Sequence, residues 1–473
     1  MARDLLAADL RRDRGSFRDP DGYIIRRGER IFRVIRPTAV ERWRQFAASG
    51  LVAELQSADL LVATQEVSGS LLGADHPLPE GSIVLEHERV PFVSYPYEWT
   101  FEMLRDAALL QLDIIERALR HEWILKDATA YNVQFRGVKP VFIDLLSFAP
   151  LQAGECWAGY NQFCRMMLYP LMLEAYKRIP FQPWLRSELE GIDPIIFSRM
   201  FRGLEKRRSG VLSHVTTQAY LQRKYSSADH SVRRQIKFAG MTAQMIARNV
   251  RRLHKLLLNL RLPRQRAATV WSDYSRAHYV DDALSRKEAF VSESVAGRHF
   301  DLAWDLGCND GRFSRIVARS AQTVVAMDSD ATSVDRLYQM LRGEQQPNIL
   351  PLLMNLANPS PSQGWASVER CSLNERGKPD VTLALALVHH LVITANVPLP
   401  ALLEWFAETS HELVIEFISK DDAMVRRLLL NKDDTYADYH REAFERYLQQ
   451  FFRIEARAEL PGGTRFLYHA VAR

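Results

Sequence analysis

The stretch DLGCNDG, residues 305–311, decides the fold of the last part of this 473-residue chain. It overlaps the end of the apolar run FDLAWDL, which is typical of a buried strand. Gly307 allows the backbone to turn tightly after that strand. Gly311 starts a helix over DGRFSRIVARSA, whose first N–H groups have no partner within the helix. A strand, a glycine-bearing turn and a helix in this order indicate the first unit of a parallel α/β sheet.

Strand and helix continue to alternate beyond this unit. Asp328 ends a second strand, QTVVAMD, and the helix SVDRLYQMLRG follows, with Gly343 as its predicted stop signal. Three further apolar runs, NILPLLMN, DVTLALALVHH and HELVIEFIS, are typical of buried parallel strands. FRIEARAEL, PGG and TRFLYHAVA predict a closing hairpin. We therefore predict an α/β domain over residues 267–473, built on a Rossmann-like sheet of seven strands.

The polar residues of this domain predict a cofactor site. Asp328 lies at a strand end, where a carboxylate can accept both hydroxyls of a ribose. The segment 305–311 resembles motif I of class I S-adenosylmethionine-dependent methyltransferases, an acid-x-Gly-x-Gly-x-Gly pattern. It departs from that pattern at the middle glycine, which is Asn309. A nicotinamide-binding domain is the competing interpretation, but its G-x-G-x-x-G pattern is absent.

The resemblance implies S-adenosylmethionine as the cofactor and a set of residues around it. Asp305 would hold the amino-acid part, Asp328 the ribose, and Asn355 the adenine, although Asn355 is equally well explained as a turn residue. The implied set is Asp305, Gly307, Asn309, Gly311, Asp328 and Asn355. In relatives, a segment just before the domain often folds over the cofactor, and here it contains Trp271, Tyr274 and Tyr279.

Two histidines, His389 and His390, end the fourth predicted strand and are the candidate catalytic residues. In α/β sheets, ligands bind in the crevice at the carboxyl ends of the strands. A histidine there could remove the proton from an acceptor hydroxyl during O-methyl transfer. The alternative is a structural His-His-Leu turn with one ring pointing inward. Glu416 in the fifth strand is a weaker candidate for the same role.

A second pattern lies in residues 81–148. A long amphipathic helix, TFEMLRDAALLQLDIIERALRHE, is followed by LKDATAYN, which carries Asp127 and Asn132, and then by VFIDLLSF, which carries Asp144. This spacing resembles the catalytic loop and metal-binding aspartate of protein kinases. The resemblance implies Asp127 as a base, Asn132 and Asp144 as Mg²⁺ ligands, and Mg-ATP as a second cofactor.

The match to kinases thins toward the N-terminus. The segment GYIIRRGERIFRVIRP predicts a hairpin, but it has no glycine-rich phosphate loop, and Arg33 occupies a strand where kinases carry lysine. Three interpretations stay open: a turn at Asp127 with Asp144 as a helix cap, a kinase-like domain that binds without phosphorylating, and an active phosphotransferase. Residues 1–150 form this α+β kinase-like region in our division of the chain.

Charge is distributed unevenly along the sequence. Residues 199–266 contain 17 Lys and Arg but only Glu205 and Asp229 as acids, whereas the net charge of the whole chain is +5. We assign residues 151–266 to a mostly helical basic extension. It presents either solvated helix faces with internal salt bridges or, as an alternative, an electrostatic footprint for RNA.

The remaining composition describes an ordinary globular protein. Hydrophobic residues make up 47% of the chain, and no uninterrupted apolar stretch is long enough to span a membrane. The four cysteines, at 156, 164, 308 and 371, lack the C-x-x-C spacing of a zinc knuckle. We expect a cytoplasmic protein without a metal site other than the kinase-like one.

The layout of the whole chain, with its LKDATAYNVQF and PVFID stretches before motif I, resembles bacterial methyltransferases of the host-specificity nodulation type. The resemblance implies methylation of an oxygen or nitrogen on a saccharide or related small molecule, with the N-terminal half holding the acceptor. The alternatives are an RNA methyltransferase that uses the basic segment and a scaffold that binds the cofactor without turnover.

Overall fold

A computed structural model of the chain describes residues 10–73, 76–225, 240–262, 281–430 and 432–473. The predicted boundary between residues 266 and 267 lies outside these ranges, as do Trp271, Tyr274 and Tyr279. The strands are β1 (Leu10–Arg12), β2 (Gly22–Arg27), β3 (Arg30–Ile35), β4 (Thr64–Val67), β5 (Ile83–His87), β6 (Trp123–Leu125), β7 (Val133–Arg136), β8 (Lys139–Phe142), β9 (Phe148–Pro150), β10 (Phe300–Leu306), β11 (Ala321–Asp328), β12 (Ile349–Leu353), β13 (Val381–Ala384), β14 (Glu412–Ile418), β15 (Phe452–Glu459) and β16 (Arg465–Ala472).

The α-helices alternate with the strands of the larger sheet along the chain and are the main elements of its middle part. They are α1 (Pro37–Ala48), α2 (Leu51–Ser57), α3 (Phe101–Arg120), α4 (Tyr160–Phe163), α5 (Tyr169–Lys177), α6 (Gln182–Ser187), α7 (Pro194–Arg199), α8 (Thr217–Tyr225), α9 (Ala243–Asn259), α10 (Asp281–Val295), α11 (Arg312–Val317), α12 (Ala331–Glu344), α13 (Leu399–Thr409), α14 (Ala423–Leu429) and α15 (Arg441–Phe451). Among the described residues, no helix is both long and apolar enough to cross a membrane.

The N-terminal half contains a five-stranded antiparallel sheet in the order β1-β2-β3-β5-β4. β2 and β3 form the predicted hairpin, in which Gly28 adopts a positive φ of 55° at the turn. Helices α1 and α2 lie between β3 and β4 in the chain, and the buried helix α3 follows the sheet. Two short antiparallel pairs come next, β6 with β9 and β7 with β8. The segment 126–132 connects β6 to β7, and residues 143–147 connect β8 to β9.

The C-terminal half is built on a seven-stranded sheet in the order β12-β11-β10-β13-β14-β16-β15. Strands β10 to β14 are parallel, and β16 and β15 are antiparallel additions at one edge. β10 lies between β11 and β13, so the chain leaves β10 toward one side of the sheet and returns on the other. Ligands of open α/β sheets bind at such a switch point, beyond the carboxyl ends of the strands. The mixed α/β architecture expected from the sequence is confirmed.

Helix α12 differs from its predicted end. Gly343 does not stop it, since the helix continues to Glu344 and Gln345 takes the left-handed cap with a φ of 54°. The N–H of Gln346 then donates to the carbonyl of Leu341 at 3.0 Å, and this bond satisfies a carbonyl of the last helical turn. The hydrogen bonds of the cap, rather than the glycine, set this end.

The two halves share one apolar core, which runs from Ile35 in β3 to Ala470 in β16. At their boundary the β7–β8 turn lies directly against the loop before β12, since a Cβ on Gly137 would be 2.1 Å from the carbonyl oxygen of Pro347. Beside this contact, the Tyr338 hydroxyl donates to Asp106 Oδ2 at 2.7 Å. The N-terminal half is therefore packed against the α/β sheet and is not tethered to it by a linker alone.

A buried ion pair crosses the same boundary. Glu98 precedes α3, and Arg376 lies in the connection between β12 and β13; their side chains are 1% and 2% exposed. Arg376 donates to both carboxylate oxygens of Glu98, at 2.5 and 2.7 Å. The Ser360 hydroxyl and the Tyr95 N–H add two more donors, at 2.6 and 2.9 Å. This fully bonded carboxylate fixes the position of the β12–β13 connection on the N-terminal half.

We expect Arg376→Met to lower the free energy of unfolding by about 3–5 kcal/mol, because Glu98 would remain buried without its charged partner. Urea denaturation followed by circular dichroism measures the change. The control is Arg426→Met, which removes an exposed partner of Asp421 and should leave the midpoint unchanged. Equal midpoints for the two variants would show that the buried pair does not hold the halves together.

Candidate functional site

The loop 307–311 forms a tight turn at the carboxyl end of β10. Gly307 and Gly311 have φ values of 79° and 73°, and Asn309 between them has a φ of 48°. Asparagine tolerates the left-handed region better than most residues, which explains how it replaces the middle glycine of the motif. A Cβ on Gly311 would lie 2.5 Å from Leu337 Cδ1 of α12, so this glycine is also required by packing.

Most N–H groups of this loop already have acceptors. Those of Gly307 and Cys308 donate to the carbonyl of Met327 at 2.8 and 3.0 Å, and that of Gly311 donates to Cys308 at 2.8 Å. The loop is therefore pre-shaped by β11 before any ligand arrives. A ligand would meet a fixed concave backbone, and its polar contacts would come chiefly from side chains at the neighbouring strand ends.

Asp328 lies at the end of β11 and holds the loop through its carboxylate. Oδ2 accepts the N–H of Asn309 at 3.0 Å, and Oδ1 accepts the N–H of Asp330 at 2.9 Å. Burial raises the pKa of Asp328, although the two N–H groups oppose that shift. Each carboxylate oxygen still has a lone pair available, so the group can accept two hydroxyls in addition.

Asp305 is more deeply enclosed than the sequence suggested. It is 2% exposed, and its Oδ2 accepts the hydroxyl of Ser314 at 2.5 Å. Burial raises the pKa of Asp305 to about 6, and the nearby charge of Asp328 adds to that shift. In this structure, Asp305 fixes helix α11 to the end of β10, which is a contact beneath the loop.

Asn355 is exposed, two residues after β12, and its Oδ1 accepts the N–H of Ala357 at 3.0 Å. The carbonyl of Asn355 also accepts the N–H of Asn358 at 3.0 Å. This geometry is a turn stabilised by an Asn side chain, which was one of the two interpretations of this residue. A role toward adenine stays a prediction.

The two histidines after β13 differ in their surroundings. His389 is fully buried, and neither of its ring nitrogens has a hydrogen-bond partner in the described part of the chain. Burial lowers its pKa well below the ordinary value, as do the charges of His390, Arg465 and Lys287. His390 is half-buried, and burial lowers its pKa to about 4. Both rings are neutral at pH 7, and only His390 is open enough to meet an acceptor; catalysis by either stays a prediction.

A buried ionic group beside His389 was not predicted from the sequence as a unit. Lys287 of α10 donates to Glu416 Oε2 at 2.6 Å, and both side chains are almost completely enclosed. The same oxygen accepts the N–H of Ala386 at 2.8 Å, which holds that residue at a φ of 51°. Arg465 of β16 lies 3.7 Å from the other oxygen of Glu416. Glu416 thus shapes the turn that leads into the histidines.

The three residues of the kinase-like pattern meet in the N-terminal half. The Asn132 Nδ2 donates to the Ser147 hydroxyl at 2.9 Å, and that hydroxyl donates to Asp144 Oδ2. Asp144 also caps a 3₁₀ turn by accepting the N–H of Leu146 at 3.4 Å, so the predicted capping role is observed. Asp127 accepts the N–H of Thr129 at 3.2 Å. Burial and the charge of Asp144 both raise the pKa of Asp127.

Arg33 of β3 reaches the same cluster. Its guanidinium lies 2.9 Å from Asp144 Oδ1 and 3.3 Å from Asp19 Oδ2. All of these residues line a cleft of about 900 Å³ between the five-stranded sheet and the loop 126–132. Residues 368–371, from the β12–β13 connection of the C-terminal half, close one side of that cleft.

The sequence was compared with known proteins. No known protein-family profile matches it. Nodulation protein NoeA of Rhizobium meliloti (strain 1021) is 35% identical over 466 residues, which cover 96% of this chain and 94% of NoeA. The chain belongs to the NoeA family. The resemblance to nodulation proteins noted from the sequence is thereby confirmed.

Several solved structures resemble part of the chain. N-methyltransferase NodS from Bradyrhizobium japonicum WM9, in complex with S-adenosyl-L-homocysteine, is 13% identical, with a TM-score of 0.31 over 43% of this chain and 97% of NodS. Magnesium protoporphyrin IX methyltransferase from Synechocystis PCC 6803 is 17% identical, with a TM-score of 0.30 over 44% of this chain and 90% of that protein. WbdD, in a co-crystal with a kinase inhibitor, has a TM-score of 0.28 and 15% identity over 39% of this chain and 40% of WbdD. Scores this low carry no functional argument.

The raised pKa of Asp305 predicts a pH-dependent stability. Because the folded protein binds this proton more tightly than the unfolded chain, the stabilisation is complete below about pH 4 and is lost as the pH rises through 6. Asp305→Asn does not titrate, so its free energy of unfolding should rise relative to wild type by about 2–3 kcal/mol between pH 4 and pH 7. Urea denaturation at a series of pH values measures this difference. Asp301→Asn, which changes an exposed residue at the start of the same strand, is the control. If the difference in free energy of unfolding between Asp305→Asn and wild type did not change with pH, the raised pKa of Asp305 would be contradicted.

Proposed function

We propose that this chain is a class I S-adenosylmethionine-dependent methyltransferase whose cofactor site is the loop 305–311 together with Asp328. The observation that carries the proposal is the bond from the Asn309 N–H to Asp328 Oδ2, at 3.0 Å. It brings together a motif I loop in its required left-handed conformation and an acid at the next strand end. Their position at the switch point of a parallel sheet supports the same conclusion.

The residues present fit this cofactor. Asp328 keeps acceptor capacity for the two ribose hydroxyls. Gly307 and Gly311 leave the loop backbone free of side chains that would exclude the ligand. Asp305 lies beneath the loop, so we assign it to shaping the site through Ser314. S-adenosylmethionine, when bound, supplies an electrophilic methyl group on a sulfonium sulfur.

The acceptor side lies beyond β13, where His390 is half-buried next to the fully buried His389. An acceptor oxygen or nitrogen placed there would take the methyl group as the carbon–sulfur bond of the cofactor breaks and S-adenosyl-L-homocysteine leaves, and the acceptor would lose a proton. His390 is neutral at pH 7 and can accept that proton, although its low pKa makes it a weak base. Alignment of nucleophile and methyl group supplies much of the rate in such transfers, so a strong base is not required.

Family membership supports a proposal for the acceptor class. NoeA is a nodulation protein, and we propose a saccharide or a related small molecule as the acceptor of this chain, methylated on oxygen or nitrogen. The basic segment that would favour RNA is partly engaged in internal pairs, since Arg251 of α9 pairs with Glu116 of α3 at 2.9 Å. A scaffold without turnover is the remaining alternative, and binding without methyl transfer would reveal it.

We expect Asp328→Ala to weaken S-adenosylmethionine binding by about 1–3 kcal/mol, because two ribose hydroxyls would lose their acceptor and the loop would lose its anchor. Isothermal titration calorimetry of the full chain measures the affinity. Asp301→Ala, which changes an exposed aspartate at the amino end of β10, should bind as wild type does. Unchanged affinity in Asp328→Ala would show that this residue is not part of the site. If the wild-type protein gave no heat of binding with S-adenosylmethionine, the proposal would be wrong.

Methyl transfer itself distinguishes the acceptor classes. With S-adenosylmethionine labelled in its methyl group, we expect label to enter a panel of oligosaccharides and sugar derivatives, and to be lost with Asp328→Ala. Label in RNA that falls steeply with added salt would instead support the RNA methyltransferase. Binding without label in any acceptor would favour the scaffold.

A further inference from the structure

We infer that a surface turn in the middle part of the chain, residues 202–212, binds the surface of an anionic lipid bilayer. Its sequence is RGLEKRRSGVL, in which two leucines lie among arginines and a lysine, and we call it the basic turn. It consists of a 3₁₀ helix, Gly203–Arg207, and the start of a π-helix, Val211–Thr216. None of its residues, all of which the structure describes, lines the cleft of the N-terminal half.

Two leucines of the basic turn are left in solvent. Leu204 and Leu212 are 75% and 64% exposed, whereas Val211 and Val215 beside Leu212 are buried. The N–H of Val211 donates to the carbonyl of Arg208 at 3.1 Å, which joins the 3₁₀ helix to the π-helix. The turn is thus packed on the protein through its valines and presents its leucines outward. Exposed apolar side chains that are grouped on one surface mark a contact site for a protein or a membrane.

The acid of the basic turn is occupied from within the protein. Among the described residues of the range 199–262, Glu205 is the only acid. Both of its carboxylate oxygens accept hydrogen bonds from Lys177 of α5, at 2.7 Å each. The Lys177 ammonium holds the pKa of Glu205 below its usual range, so this acid stays charged and paired. It therefore does not offset the exposed positive charges of Lys206 and Arg207.

Helix α9 extends the positive surface next to the basic turn. A Cβ on Gly210 would lie 2.5 Å from Leu256 Cδ2, so the turn lies directly against this helix. Arg252 and Lys255 of α9 are exposed and lie three residues apart, on one side of the helix. Burial lowers the pKa of His214 to about 4, and the positive charge of Arg252 adds to that shift. The cations of α9 therefore act in the same place as those of the turn.

The combination of leucines and cations favours a bilayer over other anionic partners. Lysine and arginine are attracted to anionic headgroups, and apolar side chains gain free energy by entering the boundary between headgroups and acyl chains. RNA would use the cations, but proteins that bind single-stranded RNA stack its bases on aromatic side chains, which leucine cannot do. A second copy of this chain would bring the same positive charge against itself. Only an anionic bilayer uses both features of the basic turn.

The test is co-sedimentation of the full chain with vesicles of phosphatidylcholine, alone or mixed with about 30% phosphatidylglycerol. We expect binding to the anionic vesicles and an affinity at least about tenfold lower for the neutral ones. Binding to the anionic vesicles should fall when NaCl is raised from about 0.1 M to about 0.5 M, because salt screens the exposed charges.

Two double variants separate the charges from the apolar contact. Lys206→Gln with Arg207→Gln should lower the affinity for anionic vesicles at least about tenfold, because two cations near the headgroups are lost. Leu204→Ser with Leu212→Ser should lower it by about the same factor, because the side chains that enter the bilayer are lost. All four residues are exposed, so the fold should be retained in both variants.

Matched controls come from the end of α14. Arg426, Arg427 and Leu430 are exposed there and are of the same residue types, but Arg426 pairs with Asp421. Leu430, at 78%, is as exposed as the leucines of the basic turn. We expect Arg426→Gln with Arg427→Gln, and separately Leu430→Ser, to bind anionic vesicles as the wild-type protein does.

Several outcomes would overturn the inference. They are equal affinity for neutral and anionic vesicles, no binding at about 1 mM lipid, wild-type binding by either double variant of the basic turn, or equal weakening by the α14 controls. Binding of an RNA oligonucleotide that needs Lys206 and Arg207 but not the leucines, without binding to vesicles, would assign the turn to nucleic acid. A dimer in light scattering that Leu204→Ser with Leu212→Ser abolishes, again without vesicle binding, would assign it to a second copy.

Discussion

The arrangement of this protein depends on the buried ion pair of Glu98 and Arg376. Removing two charges from water is costly, and the cost is met only when the remaining hydrogen-bonding positions are satisfied. Glu98 meets this condition, because Ser360 and the Tyr95 N–H add donors to the two from Arg376. A pair of this kind is directional, so it fixes orientation where the shared apolar core supplies only attraction.

The loop 307–311 is fixed by the same kind of constraint on a smaller scale. Asn309 in a left-handed conformation is held by Asp328, and Ala386 at the end of β13 is held by Glu416. In both places a carboxylate accepts a main-chain N–H of a residue that a sheet alone would not hold in that conformation. The hydrogen bonds to these carboxylates offset the cost of the left-handed conformations.

The sequence was sufficient where the signal was local. The order of strand, turn and helix around Gly307 depends on neighbours in the chain, as do the closing hairpin and the loop from Asp127 to Asn132. The group of Lys287, Glu416 and Arg465 was not predicted, because its members lie more than a hundred residues apart or on different strands and only packing unites them. The enclosure of Asp305 was missed for the same reason, since a motif identifies a residue type but not its exposure.

The connection between β12 and β13 contacts both halves of the protein. It starts where the Met354 N–H donates to the carbonyl of Asp328 at 2.8 Å, next to the loop 307–311. It then passes Ser360, supplies residues 368–371 to the wall of the N-terminal cleft, and is fixed by Arg376 before β13 begins. One continuous segment therefore borders both the loop 307–311 and the N-terminal cleft, and a buried ion pair fixes it where it leaves the cleft. The position of this segment at the loop 307–311 and at the cleft therefore depends on the same set of buried contacts around Glu98.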